Sequence, residues 1–508
     1  MLAKILSGAV VGLDAVLVVV EVDISSKGLP SFSIVGLPDK AVEESKERVR
    51  AAIKNSGAEF PAKRIIVNLA PADLPKVGPF YDLPIALGIL IASGQLAMPK
   101  NRMICIGELS LDGSVRHANG ILPIVMFAKT QKIPHVYIPA IDAKEASIVS
   151  GVSIIAVETL LSVFHHMSQT QMLKPQRTVE FADLDEETVF DFDMKEVRGQ
   201  EHVKRALEIA AAGGHNVFLH GPPGSGKTML ARTMPSILPR LTESEALEVT
   251  KIYSVTGNLP AGHTIMLHRP FRSPHHTTSR IGLIGGGTRP IPGEISLAHK
   301  GILFLDEFPE FPRNILEALR QPVEDGFVTI SRATGTVSYP TQFMLIAAAN
   351  PCPCGYYKSE TKKCTCMPSA IIRYQKRISG PLLERIDLHV HVPQVPVEKL
   401  SNEDQIETSK QIRDRVQQAR NRQLHRFAGL SFQSNSEMNN AHMRKFCPFS
   451  SEESAFMNLA VTRLQLSARS YYRVIKVARS IADLALEENI SVNHLAEALQ
   501  FRPVVSDV

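Results

Sequence analysis

The sequence predicts an α/β chain with a parallel-sheet core, an α+β domain before it and a helical domain after it. Three observations carry that expectation. A glycine-rich loop at residues 221–228 follows the apolar run Val217-Phe218-Leu219 and precedes a helical pattern. A second apolar run, Ile302-Leu303-Phe304-Leu305, ends in the paired carboxylates Asp306 and Glu307. After Pro393-Gln394-Val395-Pro396 the sequence turns charged and helix-rich to its end.

Length and composition set the frame. The chain has 508 residues, room for two or three domains at roughly 150 residues each. Hydrophobic residues make up 44% and charged residues 21%, a balance that excludes disordered and fibrous classes. A net charge of +5 permits a polyanionic partner without requiring one.

Residues 1–165 alternate β-branched and amphipathic runs. Lys4 and the apolar stretch after it resemble a secretory leader, but Asp14 interrupts the run and Glu21 and Asp23 follow it. Two strands around Gly12-Leu13-Asp14 are expected instead. Residues 65–69 and 135–139 read as strands, and 40–55 and 83–93 as helices, giving a separate α+β domain. A polar, acidic linker is expected over 166–196, the α/β core over 197–395 and the helical domain over 396–508. No stretch is clean enough to span a bilayer, so a cytoplasmic protein with no membrane partner is expected, its six cysteines reduced or metal-bound.

Gly221-Pro222-Pro223-Gly224-Ser225-Gly226-Lys227-Thr228 fits the pattern G-x-x-x-x-G-K-[ST]. Glycines let the loop turn its amides toward phosphates, and the helix dipole adds to that field. Lys227 is expected to reach the β- and γ-phosphates of ATP, and Thr228 to hold Mg²⁺. Asp306 would hold the metal through water, and Glu307 would polarise the attacking water. The apolar run 343–349 ends in Asn350, a polar residue at the tip of a third central strand, which suits sensing the γ-phosphate or orienting the water, with a strand-end turn residue before Pro351 as the other reading.

With these motifs in hand, the core resembles an AAA+ ATPase of the magnesium-chelatase-like group, and the whole chain resembles the ComM/YifB family. The likeness includes Val197-Arg198-Gly199-Gln200, Phe271-Arg272-Ser273-Pro274-His275-His276, Ala349-Asn350-Pro351-Cys352-Pro353-Cys354-Gly355 and Gly380-Pro381-Leu382-Leu383-Glu384-Arg385-Ile386-Asp387. The resemblance implies a P-loop AAA+ core with a helical lid, working as a homo-hexamer. It implies that Arg385 is an arginine finger reaching a neighbour's ATP, and that Arg469 is the sensor on the lid, with Arg473 as the competing candidate.

Residues 325–338 read as a hairpin with Arg332 near its tip, at the place where similar AAA+ proteins put a pore hairpin. Arg332 reads equally as an ordinary exposed turn residue. Arg269, Arg272, His275, His276 and Arg280, followed by three glycines, fall in the segment the resemblance assigns to a pore-facing insert. Cys352, Cys354, Cys364 and Cys366 suit a tetrahedral Zn²⁺ site, with free thiols as the other reading. Cys105 and Cys447 read as core residues.

The first domain resembles a Lon-type protease domain, through Pro75-Lys76-Val77-Gly78-Pro79-Phe80 and Gly107-Glu108-Leu109-Ser110-Leu111-Asp112-Gly113. Phe80 stands where that family has its nucleophilic serine and Leu122 where it has the lysine, so no protease activity is expected. The resemblance implies a DNA motor that drives branch migration of recombination intermediates in natural transformation. A magnesium-chelatase-type motor subunit and a protein-remodelling ring are the alternatives.

Overall fold

The computed structural model describes residues 2–184, 190–259, 264–287, 290–332, 335–359, 362–377, 380–395 and 407–502. Part of the expected linker (185–189), the hairpin-tip residues Ala333 and Thr334, and the expected start of the helical domain (396–406) lie outside them. The chain divides into two compact units, residues 1–186 with 243–267, and residues 187–242 with 268–508.

The first unit is built on a seven-stranded mixed sheet. Its order is Ser31–Val35, Arg64–Ala70, Asp14–Ser25, Leu2–Val11, Met103–Cys105, His135–Pro139 and Ser153–Val157. The apolar run near the N-terminus forms the hairpin expected of it, with Val11 opposite Asp14 and Leu2 opposite Asp23. The helix Lys40–Asn55 starts where Asp39 accepts the Val42 amide at 2.9 Å. The helix Asp82–Ala92 is buried all round, and its one charge, Asp82, is met by the Arg48 guanidinium at 2.6 Å and by the Leu109 amide. Phe80 lies in a 3₁₀ turn and packs on Tyr81, and Leu122 is fully buried. Both positions are thus filled by apolar side chains. Cys105 and, in the second unit, Cys447 are buried as read.

The division differs from the four expected segments in three ways. The helix Glu243–Thr256 belongs to the first unit, where it packs on the helix Ile121–Thr130 and its Ser254 carbonyl accepts the Gly120 amide at 3.1 Å. The polar stretch after 165 is no free linker. The helix Leu160–Met167 runs through its start, Gln176 and Val179 donate to the backbone of the first unit, and Met194 is buried in the second. Residues 407–502 share one hydrophobic core with the parallel sheet instead of forming a unit of their own.

That sheet has five parallel strands in the order Phe271–Arg272, Ile302–Leu305, Met344–Ala349, Val217–His220 and Leu388–His391. Its central strands are covered on both faces, hence the nearly unbroken apolar runs 302–305 and 344–349. His220 pairs with Ala349 and Leu305 with Ala347, so the carboxyl ends of three adjacent strands open on one edge. No helix among the described residues is long and apolar enough to cross a membrane.

Candidate nucleotide site and cysteine quartet

The open sheet edge gathers the motif residues. The helix Lys227–Ile237 begins at Gly226, whose φ of 87° lies in the left-handed region that favours glycine. Lys227 Nζ donates to the carbonyls of Gly221 at 2.9 Å and Pro222 at 2.8 Å, and to Asn350 Oδ1 at 3.2 Å. Burial holds this amine below its ordinary range. Thr228 Oγ1 donates to Asp306 Oδ2 at 2.7 Å. Two expected metal-binding oxygens therefore already face each other.

The residues fit a nucleoside triphosphate with Mg²⁺ on two further observations. A Cβ placed on Gly224 or Gly226 would meet nothing within 4 Å, so space lies beyond the loop. The buried hydroxyl of Ser225 has no hydrogen-bond partner among the described residues, a group that a phosphate oxygen would satisfy. Gln200, from the segment before the loop, donates to the Pro393 carbonyl at 2.7 Å and to Ser225 O at 3.4 Å. It ties the loop to the chain leaving the last strand.

Glu307 is exposed and adopts φ 50°, a conformation costing a non-glycine residue about 1–2 kcal/mol. Its amide donates to Asp306 Oδ1 at 2.9 Å, and its carboxylate lies 3.4 Å from His276 Nδ1. His276 stacks on His275, with ring centroids 4.0 Å apart.

The six residues expected on a basic surface have different surroundings. Among the six residues proposed to face DNA, His276 sits at the Glu307 carboxylate. Arg269 is turned inward onto the carbonyls of Pro239 at 2.8 Å and Lys300 at 2.7 Å. Arg272 is clamped by Glu294 at 2.6 and 2.7 Å. His275, Arg280 and Arg332 are exposed, and Arg332 ends the strand Phe327–Arg332 of a hairpin paired with Gly335–Pro340. Its Nε donates to the Gly287 carbonyl at 3.2 Å.

Arg385 and Arg469 converge on Glu324. Arg385 Nε donates to Glu324 Oε2 at 3.0 Å, and Arg469 lies 4.0 Å from Glu324 and 3.6 Å from Glu384. The competing Arg473 faces Asp387 at 3.6 Å instead. Glu324 and the His276 contact carry no motif, and only the fold reveals them.

The four cysteines come together. Sulfur separations are 3.4 Å for Cys352–Cys354, 3.7 Å for Cys352–Cys364 and 3.5 Å for Cys354–Cys364, and all four ligand atoms lie within 4.8 Å of one another. A tetrahedral Zn²⁺ with 2.3 Å bonds needs sulfurs about 3.8 Å apart, so the set fits with small adjustments. Amides of Tyr356 and Thr365 hold the Cys354 thiol down at about 5. The loop also touches the nucleotide site: Gly355, at φ 84°, lies so close to Pro223 that a Cβ would stand 2.4 Å from its Cγ.

Comparison with known proteins agrees with this picture. Residues 193–400 match the family model described as magnesium chelatase, subunit ChlI, and 406–502 match the C-terminal model of that subunit. Residues 20–142 match a further model described as subunit ChlI of Mg-chelatase. The chain is 44% identical to competence protein ComM of Haemophilus influenzae over 99% of its length and 98% of that protein. It is 41% identical to YifB of Escherichia coli over 98% and 96%. The magnesium-chelatase 38 kDa subunit of Rhodobacter capsulatus is 25% identical over 32% of this chain and 50% of that one.

The Gly355–Pro223 contact leads to a direct expectation. Gly355→Ala combines a left-handed backbone with a collision on the phosphate loop, so stability falls by about 1–2 kcal/mol or more. Affinity for a fluorescent ATP analogue falls with it, and equilibrium titration together with urea unfolding reads both. Unchanged binding and stability would show that the cysteine loop does not brace the phosphate loop.

Proposed function

We propose that this chain, which belongs to the ComM/YifB family of magnesium-chelatase-like AAA+ proteins, is an ATP-driven, homo-hexameric motor acting on single-stranded or branched DNA. The family implies ATPase activity with ATP and Mg²⁺. The observation that carries the reading is the convergence of Lys227, Thr228, Asp306 and Asn350 at the carboxyl ends of adjacent strands. The name of the Haemophilus relative, a competence protein, supports setting the motor in natural transformation; branch migration of recombination intermediates is the work we propose for it there.

Bound ATP and Mg²⁺ supply the transferable phosphoryl group and the charge that draws electrons from it. The protein's part is position and proton handling. Lys227 exchanges its loop carbonyls for phosphate oxygens, and the amides of residues 224–228 complete the cradle. Thr228 would hold Mg²⁺ directly and Asp306 would hold it through water. Glu307 takes a proton from the attacking water, with His276 steadying its carboxylate and Asn350 orienting the water. Arg385, gathered with Arg469 on Glu324 within the protomer, serves a neighbouring copy's site, where a guanidinium is worth a factor of about 10³–10⁵ in rate, and Arg469 is the sensor on the helical lid.

The cysteine quartet is assigned a structural Zn²⁺. The exposed His275, Arg280 and Arg332 are assigned to the DNA path, where cations supply most of the sequence-independent affinity. The family description also supports a magnesium-chelatase-type motor subunit, and a protein-remodelling ring is the other alternative.

Two measurements check these assignments. Steady-state ATP hydrolysis rises on adding single-stranded or branched DNA, and Lys227→Ala abolishes it while Glu307→Gln binds ATP without turnover. Hydrolysis indifferent to every DNA turns the reading toward the chelatase-type or protein-remodelling motor, and appreciable turnover by Glu307→Gln removes Glu307 as the base. Protein purified without chelator contains about one zinc per chain by elemental analysis. Cys352→Ser combined with Cys364→Ser loses most of it, and wild type free of zinc contradicts the metal assignment.

A further inference from the structure

A second basic surface lies on the second unit, built from residues other than those of the hairpin and the insert, with the His276 ring of the insert 6.4 Å from Phe311 at its wall. The 3₁₀ turn Phe308–Glu310 with Phe311, Pro312 and Arg313 forms one wall of an open cleft of about 470 Å³. The helix Pro368–Gln375, which follows the last cysteine of the quartet, and the turn after it form the other. Arg313, Arg373, Lys376 and Arg377 line the cleft with one lining carboxylate among the described residues, Glu310, which Arg377 meets at 2.9 Å; Arg313 also lies 4.0 Å from Glu317 beside the cleft.

The helix is built to present those charges. Ile371 and Tyr374 are buried on its inner face, while Arg373, Lys376 and Arg377 recur at helical spacing on the outer one and are exposed. Pro309 and Phe311 give the cleft an apolar floor. The Arg313 side chain is 81% exposed and that of Arg377 52%. Four cations around an open, shallow trough do not enclose a small anion. They match a polyanion that runs through, neutralised phosphate by phosphate.

We propose that this cleft binds the phosphodiester backbone of a single nucleic-acid strand, with Arg313, Arg373, Lys376 and Arg377 as its contacts. The proposal rests on the DNA-motor reading and adds to it a site outside the hairpin and insert. It also gives DNA a short route to the hydrolytic centre. The Glu310 amide donates to the Glu307 carbonyl at 2.7 Å, so a strand that draws Arg377 from Glu310 acts on the turn carrying Glu307.

The test uses the full chain, Mg²⁺, a non-hydrolysable ATP analogue and a fluorescein-labelled single-stranded oligonucleotide, with anisotropy titrations at several salt concentrations. The combined variant Arg313→Gln, Arg373→Gln, Lys376→Gln is compared with a charge-keeping control, Arg313→Lys with Arg373→Lys, in which Lys376 is left unchanged. Removing three phosphate contacts flattens the log–log salt slope by about 2 and weakens low-salt binding at least about tenfold, whereas the lysine variant keeps the wild-type slope. Binding of a fluorescent ATP analogue checks that each variant is folded, and Arg313→Gln alone, at an exposed position, flattens the slope by about 0.7. Wild-type slope and affinity in both glutamine variants overturn the cleft while leaving the motor reading intact. Wild-type protein that binds no DNA overturns the motor reading, and the cleft with it.

Discussion

The structure of the second unit depends on one constraint, the in-register parallel pairing of Val217–His220 with Met344–Ala349 and of that strand with Ile302–Leu305. Because side chains alternate across a strand, a slip of one residue would reverse which face each one meets. The observed register ends the three strands together, so Gly221, Asp306 and Asn350 leave the sheet at one edge. Lys227 then bonds Asn350 and Thr228 bonds Asp306 across 123 and 78 residues of sequence. Burial of the apolar runs fixes the register, and the polar site follows from it.

A second set of buried polar contacts holds the C-terminal helices on that sheet. His215 bridges Asp387 at 3.3 Å and Ser480 at 2.8 Å, joining the last strand to the helix Ala468–Leu484. Burial alone would raise the Asp387 carboxyl, but His215 and Arg473 outweigh it and hold it well below the usual range. On the same helix, Arg479 and Asp483 are buried as a pair, and Arg426 and Asn435 complete their hydrogen bonds. Arg385 lies two residues before Asp387, and Arg469 starts the helix that carries Ser480. The packing of this helix therefore fixes the geometry in which the two arginines meet at Glu324.

Much of this was legible in the sequence where the signal is local. The phosphate loop, the Asp306-Glu307 strand, the hairpin after Asp325 and the helix over 40–55 each carry their pattern within a few residues. The cysteine quartet was legible because its four sulfurs fall within fifteen residues. Packing partners were not legible. The pattern of the helix Glu243–Thr256 says nothing about which unit it covers, and it belongs to the first. The density of Arg269, Arg272 and His276 resembles a free basic loop, but their partners Lys300, Glu294 and Glu307 come from 22 to 31 residues away. Glu324 has no motif at all. Its importance comes from where the fold brings Arg385 and Arg469.

In the proposed motor, the phosphate loop of one copy works with Arg385 of the next. Mixing two inactive variants tests it most directly. Lys227→Ala has a dead site of its own but an intact Arg385 to donate, and Arg385→Ala has an intact loop that lacks the donated arginine. With a shared site, ATP hydrolysis, negligible in each variant alone, reappears on mixing and peaks near equal proportions. A mixture no more active than its separate components would contradict a site shared between copies.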